Sequence, residues 1–314
     1  MLENSFVCSL DGSAHLLDRI GGKAASLSRL RALNAPVPRA FAVTTDAYRL
    51  HAARIGIPDL ASAVALSGLP AVRAAIIEAP LVPEIRSAIA MAVDATLAEG
   101  ATRLAVRSSA TTEDSPTYSF AGLHDTSLAV TGESGAVEAA VKACWASLWS
   151  ERSVDYRRRG GDALDGAAMA VVIQELVRAD VSFVAFSVDP VDDCARRVII
   201  SASYGLGEAI VAGLVVPDYI VLEPSGEVMD YQIGSKETMI ISSPNGDGGV
   251  RQVPVPRLMA NQQALSNDQA RHIGCLVTDL EQKFGTPIDV EGGIANGTLS
   301  LFQARPITTC CIPQ

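Results

Sequence analysis

The stretch 289–306, DVEGGIANGTLSLFQARP, decides how the chain is read. Two apolar arms flank Asn296-Gly297, a dipeptide that favours a tight β-hairpin turn, and four polar residues stand among them: Asp289, Glu291, Gln303 and Arg305. Side chains alternate between the two faces of a strand, so the loop length decides which of the four meet. A three-residue loop over 296–298 sets Ala295 opposite Leu299, Glu291 opposite Gln303 and Asp289 opposite Arg305, all four polar groups on one face. A two-residue turn puts Glu291 and Gln303 on opposite faces. On the shared face, a carboxylate beside an amide oxygen suits Mg²⁺, which takes one or two protein oxygens plus substrate phosphates. The plainer alternative is a structural ion pair at a sheet edge.

Upstream of the hairpin the texture is mixed α/β (α+β). Gly21-Gly22-Lys23 opens a helical stripe of Ala24, Leu27, Leu30 and Leu33, closed by Asn34 and Pro36. Phe41-Ala42-Val43 reads as a buried strand, with Thr44 or Thr45 capping the next helix. Helical spacing returns over 84–98 and 134–150; in the latter Val137, Val141, Cys144 and Leu148 make the core stripe, and Trp145 and Trp149, four apart, read as packing residues in preference to ligand contacts. From about 168 the chain turns to β-branched runs, with Ser225-Gly226 at a hairpin turn, a long loop over 242–256 and a Ser266–Gln269 capping box for a helix ending at Gly285. This divides the chain into a helix-rich lobe, 1–175, and a strand-rich lobe, 176–314, with a hinge near Gln174.

Composition narrows the function classes. Of 314 residues, 48% are hydrophobic and 19% charged, which fits a compact globular chain. A net charge of −10 argues against nucleic-acid or anionic-membrane partners, because both need a basic field, so any phosphate must be met by local cations. The 6 cysteines are scattered, with no Cys-x-x-Cys pair, as expected of reduced thiols in a cytoplasmic protein. Glu3, Asp11 and Asp18 interrupt the first 20 residues, which fits neither a signal peptide nor a membrane span.

Two cations stand where a phosphate could use them. Lys23 lies at a helix start, where backbone amides and the helix dipole already favour an anion, although Ala24 stands where a P-loop has Ser or Thr. Arg107 opens AVRSSATTEDSPTYSFAG (105–122), and Ser108, Ser109, Thr111 and Thr112 read as loop donors able to fold over a polyphosphate. A solvated lysine and an ordinary surface loop are the plain alternatives. Gly205-Leu206-Gly207 resembles a nucleotide turn but has Ile210 in place of the third glycine.

Six ordered blocks resemble one family. GGKAASLSRL (21–30), VPRAFAVTTDAYR (37–49), AVRSSATTEDSPTYSFAG (105–122), VVIQELV (171–177), SYGLGEAIVAGLVVPD (203–218) and LFQARPIT (301–308) are similar to the nucleotide-binding domain shared by phosphoenolpyruvate synthase, pyruvate phosphate dikinase and rifampin phosphotransferase. The resemblance implies an ATP-grasp fold, with ATP and Mg²⁺ between two lobes. It makes Lys23 and Arg107 phosphate-binding cations and Thr126 a contact near the triphosphate. It further implies that Gln174, Glu175 and Val177 read adenine, that Glu291 and Gln303 hold magnesium, and that Arg305 lies beside the phosphates. Departures are Leu123 where the family usually has Gln, and Gly292 where it has Trp.

The expected chemistry is AMP-forming phosphoryl transfer from ATP, with Lys23, Arg107 and Arg305 as the catalytic cations. In the family a histidine on a swivelling domain takes the phosphoryl group. None of His15, His51, His124 or His272 has the Thr-Ser-His context of that carrier, so the expected partner is a separate phosphohistidine and substrate-domain protein. His124, two residues before Thr126, is read as a packed or exposed residue in preference to an acceptor. Two other readings stay open: a stand-alone ATP-grasp kinase or ligase that activates a small molecule, and a nucleotide-binding module without turnover.

Overall fold

The computed structural model describes residues 5–12, 17–56, 60–111, 114–115, 118–119, 126–160, 168–192, 195–243 and 248–307. His15, His124, Thr112 and Leu123, weighed above, lie outside the described residues. The chain is mixed α/β and divides into two units, Met1–Ala32, Arg39–Leu176 and Asn245–Gly249 forming one, Leu33–Pro38, Val177–Pro244 and Val250–Gln314 the other.

The first unit is built on a five-stranded sheet in the order Val7–Ser9, Ala40–Val43, Met169–Glu175, Leu104–Ala110, Thr126–Val130. Strand alternation sorts its side chains. Leu104, Val106, Ala110, Met169, Val171 and Ile173 join a core with Val137, Val141, Cys144 and Trp145 of the helix Ser134–Ser147. Each such aliphatic side chain, fully withdrawn from water, contributes about 1.5–3 kcal/mol. The opposite face carries Ala105, Arg107, Ser109, Val172 and Gln174, and the helix Leu17–Ala32 packs there through Ser109. The tryptophans are packing residues, as their spacing predicts: both are fully buried, and Trp149 donates from Nε1 to the Tyr48 hydroxyl at 2.9 Å.

Local details depart from the sequence reading. Thr44 stands at the N-cap of the helix Thr45–Arg54, yet its hydroxyl donates to the Ser5 carbonyl at 2.7 Å instead of capping. The strand that begins before Arg107 runs on through Ser108, Ser109 and Ala110, so both serines are buried strand residues and not loop donors. The reason is tertiary: the strand Met169–Glu175 pairs with every residue of Leu104–Ala110 and overrides the low strand preference of serine.

The second unit is built on a six-stranded antiparallel sheet in the order Val228–Gln232, Asp218–Leu222, Val198–Tyr204, Val181–Phe186, Ile288–Ala295, Thr298–Pro306. One face, with Phe183, Ala185, Ile200, Ile220 and Val290, is buried, as are Ala270, Ile273, Val277 and Leu280 of the helix Asn267–Phe284 that packs on the sheet. That helix starts with the capping box read from Ser266 and Gln269, and stops at Gly285 in a left-handed conformation, φ 68°. On the other face Val184, Phe186, Ser201 and Tyr219 remain half-exposed. The stretch 242–256 is not a continuous loop: Val250–Pro254 pairs antiparallel with Thr238–Ser242, with Pro254 at the end of the ladder and Pro256 beyond it, where no donor is needed.

A fully buried ion pair ties this unit together. Lys236 Nζ donates to Asp218 Oδ1 and to the Gly234 carbonyl at 3.0 Å, and neither charged side chain is exposed. Asp218 also accepts from the amides of Gly234 (2.9 Å) and Ala264 (2.6 Å) and from the Tyr231 hydroxyl (2.9 Å). Burial pushes the Tyr231 phenol well above its ordinary range, and the Asp218 carboxylate adds to the rise, so Tyr231 stays a donor.

Candidate functional site

Register on the first sheet assembles one group of the sequence-predicted residues. Arg107 stands directly opposite Thr126 on one side and Val172 on the other. Gln174 follows Val172 by two residues and so shares that face, paired with Ala105. Gln174 is 2% exposed, and among the described residues its amide nitrogen has no hydrogen-bond partner, a condition that costs free energy unless a ligand or water supplies an acceptor. Thr126 is exposed. Glu175, next in the strand, is bound differently: its carboxylate lies 3.5 Å from Arg39 Nη1, while Arg39 Nε meets Glu99 at 2.8 Å.

The helix that carries Lys23 reaches this face by a separate route. The helix Leu17–Ala32 is interrupted at Gly21, whose φ of 72° and ψ of 173° are not helical, so the regular helix restarts at Gly22 with Lys23 in its first turn. Glycine is required there: a Cβ at Gly21 would lie 2.1 Å from the Ser109 carbonyl oxygen. The Ser109 hydroxyl accepts from the Ala24 amide at 3.1 Å and donates to the Ile20 carbonyl at 2.8 Å. Lys23, half-buried, is thus joined to the strand that carries Arg107.

On the second unit the hairpin 289–306 gives an unexpected solution. Ala295 pairs with Thr298, so the loop is the two-residue turn Asn296-Gly297, with φ of 50° and 77°, and not the three-residue loop. Counting from that turn alone would throw Glu291 and Gln303 to opposite faces. A bulge prevents it: Gly292 pairs with Leu301, Glu291 pairs with Gln303, and Phe302 is the extra residue between them. Asp289 then faces Arg305, and all four polar groups share one face, as the sequence reading required but by another geometry. Arg305 Nε lies 3.2 Å from Asp289 Oδ1, and Arg305 Nη2 lies 3.5 Å from Glu291 Oε1. Gln303 is 2% exposed, whereas Asp289, Glu291 and Arg305 are about one-fifth exposed, at 19%, 21% and 23%.

Donor chemistry fits a hard cation. Glu291 and Gln303 offer a carboxylate and an amide oxygen from directly opposed positions, the set that Mg²⁺ takes when phosphate oxygens complete its shell. Among the described residues no group of three His, Cys, Asp or Glu side chains is placed to hold a metal, so a soft or all-protein metal centre has no support there. Val177, the remaining predicted residue, opens the Val177–Pro244 segment of the second unit, and its carbonyl accepts the Ala179 amide at 2.9 Å. Two features had no legible signal in sequence: the Ser109 bridge to residues 85 and 89 positions away, and the Phe302 bulge.

Among the described residues no helix is long and apolar enough to cross a membrane. The chain is 38% identical to a probable phosphoenolpyruvate synthase of Methanocaldococcus jannaschii, over 93% of this chain and 26% of that protein. It is 38% identical to a prodigiosin synthesizing transferase of Serratia marcescens, over 94% of this chain and 32% of that protein. It is also 38% identical to a rifampicin phosphotransferase of Streptomyces sviceus, over 92% and 34%. The chain therefore spans between a quarter and about a third of the length of these relatives. The family model for the pyruvate phosphate dikinase AMP/ATP-binding domain matches residues 17–311, and the chain belongs to that family.

Proposed function

We propose that the chain is the ATP-binding part of an AMP-forming, dikinase-type phosphotransferase with an ATP-grasp fold. It would deliver a phosphoryl group from ATP to a histidine on a separate carrier domain or chain. The observation that carries this reading is the hairpin register, which places Glu291 against Gln303 and beside the Arg305–Asp289 pair. In this reading Lys23, Arg107 and Arg305 are the cations that meet the phosphates, and Thr126 lies near the triphosphate. The Gln174 amide, Glu175 and Val177 read the base. Glu291 and Gln303 would hold Mg²⁺, which when bound neutralises phosphate charge. Phosphoryl transfer asks chiefly for positioning and charge neutralisation, which such a set supplies with no covalent step on this chain.

The protein's own groups have separable tasks. Arg107 offers a planar fork of donors, matched to two phosphate oxygens; Lys23 is a point charge at a helix start, where first-turn amides add to it. Arg305 is held by two carboxylates, so it keeps a fixed orientation while retaining donors beyond them. Calorimetry with ATP and Mg²⁺ should give one site per chain, weakened by Lys23→Ala, Arg107→Ala or Glu291→Ala, and product analysis should show AMP only when a histidine-bearing carrier is added. ADP or AMP formed with a small molecule alone would make the chain a free-standing kinase or ligase, and tight binding without turnover in either condition would make it a binding module. No binding of ATP refutes all three.

A further inference from the structure

Ser109 is buried, lies two residues beyond Arg107 on the same face of the strand Leu104–Ala110, and is absent from the set of groups assigned to the nucleotide. Its hydroxyl is engaged on both sides. As acceptor it takes the Ala24 amide at 3.1 Å; as donor it reaches the Ile20 carbonyl at 2.8 Å. Those two partners bracket the non-helical Gly21, after which the helix restarts. Counting from Gly21 as the cap residue, Gly22, Lys23 and Ala24 are the first three helical positions, and Ala24 is the one whose amide a cap side chain ordinarily satisfies. Glycine has no side chain to do this, so a serine from 85 residues away does it. The approach leaves no room for a Cβ at Gly21, which would meet the Ser109 carbonyl carbon at 2.5 Å and Oγ at 2.6 Å.

From this geometry we infer that Ser109 is a positioning residue: it caps the Lys23 helix from a distant strand of the same chain and so fixes the spacing between Lys23 and Arg107. The inference rests on the proposed reading of those two cations as phosphate-binding groups. A free helix start frays, because its first amides lack intrahelical partners. Here the fraying is stopped by a hydroxyl on the very strand that bears the second cation, so both cations share one rigid support. Binding a polyphosphate then requires no ordering of the lysine's backbone, which removes part of the entropic cost of association.

The test is a double-mutant cycle. Ser109→Ala is expected to weaken Mg²⁺-dependent ATP binding by about tenfold, the effect of losing one well-placed charge contact. In a Lys23→Ala background the same change is expected to have little further effect, because Ser109 acts through Lys23. An equal loss in both backgrounds, or none in either, overturns the proposal, since a merely structural serine would not depend on Lys23. Amide exchange of residues 22–24 supplies a readout independent of nucleotide, and it should speed up in Ser109→Ala; unchanged exchange also overturns the bridge. If Ser109→Ala does not fold, Ser109→Cys keeps the volume and a weak donor and is expected to give a smaller loss with the same dependence on Lys23. Wild-type protein that binds no ATP defeats the nucleotide reading, and the positioning role falls with it; wild-type binding with no Lys23 dependence of the Ser109 effect defeats the positioning role alone.

Discussion

Two acid–base pairs in the second unit use the same chemistry to opposite ends. Asp218 and Lys236 are wholly buried, and the carboxylate is further satisfied by two amides and a phenol. Arg305 with Asp289 and Glu291 is partly open to water and sits on the half-covered face of the sheet. Desolvation makes the difference. A buried charge that loses its partner has no solvent to turn to, whereas a half-exposed guanidinium can exchange a carboxylate for a phosphate at small cost. The first pair is structural, and the second is open enough for the role we propose for it, although both would look alike in sequence.

Substitutions can break that contrast, the largest effect coming from the closed pair. Lys236→Met leaves Asp218 charged and unpaired in the interior and should cost about 3–5 kcal/mol, read as a fall in the urea midpoint or outright failure to fold. Should this variant melt like the wild type, the buried pair is not the clamp described. At the open pair, Glu291→Gln should weaken Mg²⁺-dependent ATP binding by between about tenfold and a hundredfold, while stability changes by less than about 1 kcal/mol. The reverse pattern, an early melt with normal binding, would move Glu291 from site to scaffold.

A third measurement sharpens the comparison with the first unit, where a histidine is buried against an aromatic ring and a backbone carbonyl. His51 is 1% exposed, with its ring 5.3 Å from that of Trp145 and Nε2 3.3 Å from the Ile76 carbonyl. Burial pulls its pKa below 6.5, the nearby Lys142 adds to the fall, and the Ile76 carbonyl partly opposes it. The folded state thus refuses a proton that the unfolded state accepts, so stability is intact above pH 6.5 and is lost as pH falls below it toward the folded value. Denaturation midpoints between pH 7 and 5 should decline less steeply in His51→Asn than in the wild type; parallel curves would remove His51 as the cause. The smallest effect belongs to the exposed pair Lys283–Asp279 at 2.7 Å, where Lys283→Ala should shift stability by no more than about 0.5 kcal/mol.

Much of this architecture was legible in sequence because its signals are local. The helix over 84–98, the capping box at Ser266 and Gln269, and the turns at Ser225-Gly226 and Asn296-Gly297 all depend on neighbours within a few residues, and they stand in the structure as Pro83–Ala98, Asn267–Phe284 and two hairpins. Ser108 and Ser109 were misread as loop donors because their strand character comes from pairing with Ala170 and Val171, some 60 residues distant in the chain. The strand Val250–Pro254 was hidden by the glycines just before it and by Pro254 and Pro256 at and beyond its end. At the candidate site the residue types were legible, and the sequence also anticipated that four of them share a face. The mechanism was not, since a bulge and a longer turn have the same effect on everything beyond them.

That bulge lies on the outermost strand of its sheet, where an open ladder invites another chain to add on. Phe302 breaks the even spacing of donors and acceptors, Pro306 removes one at the far end, and the Leu301 amide is already taken by the Pro36 carbonyl at 2.8 Å. The residue that phases Gln303 and Arg305 onto the face of Glu291 and Asp289 thus also makes the margin a poorer template for another strand, and regularising the strand would remove both effects together.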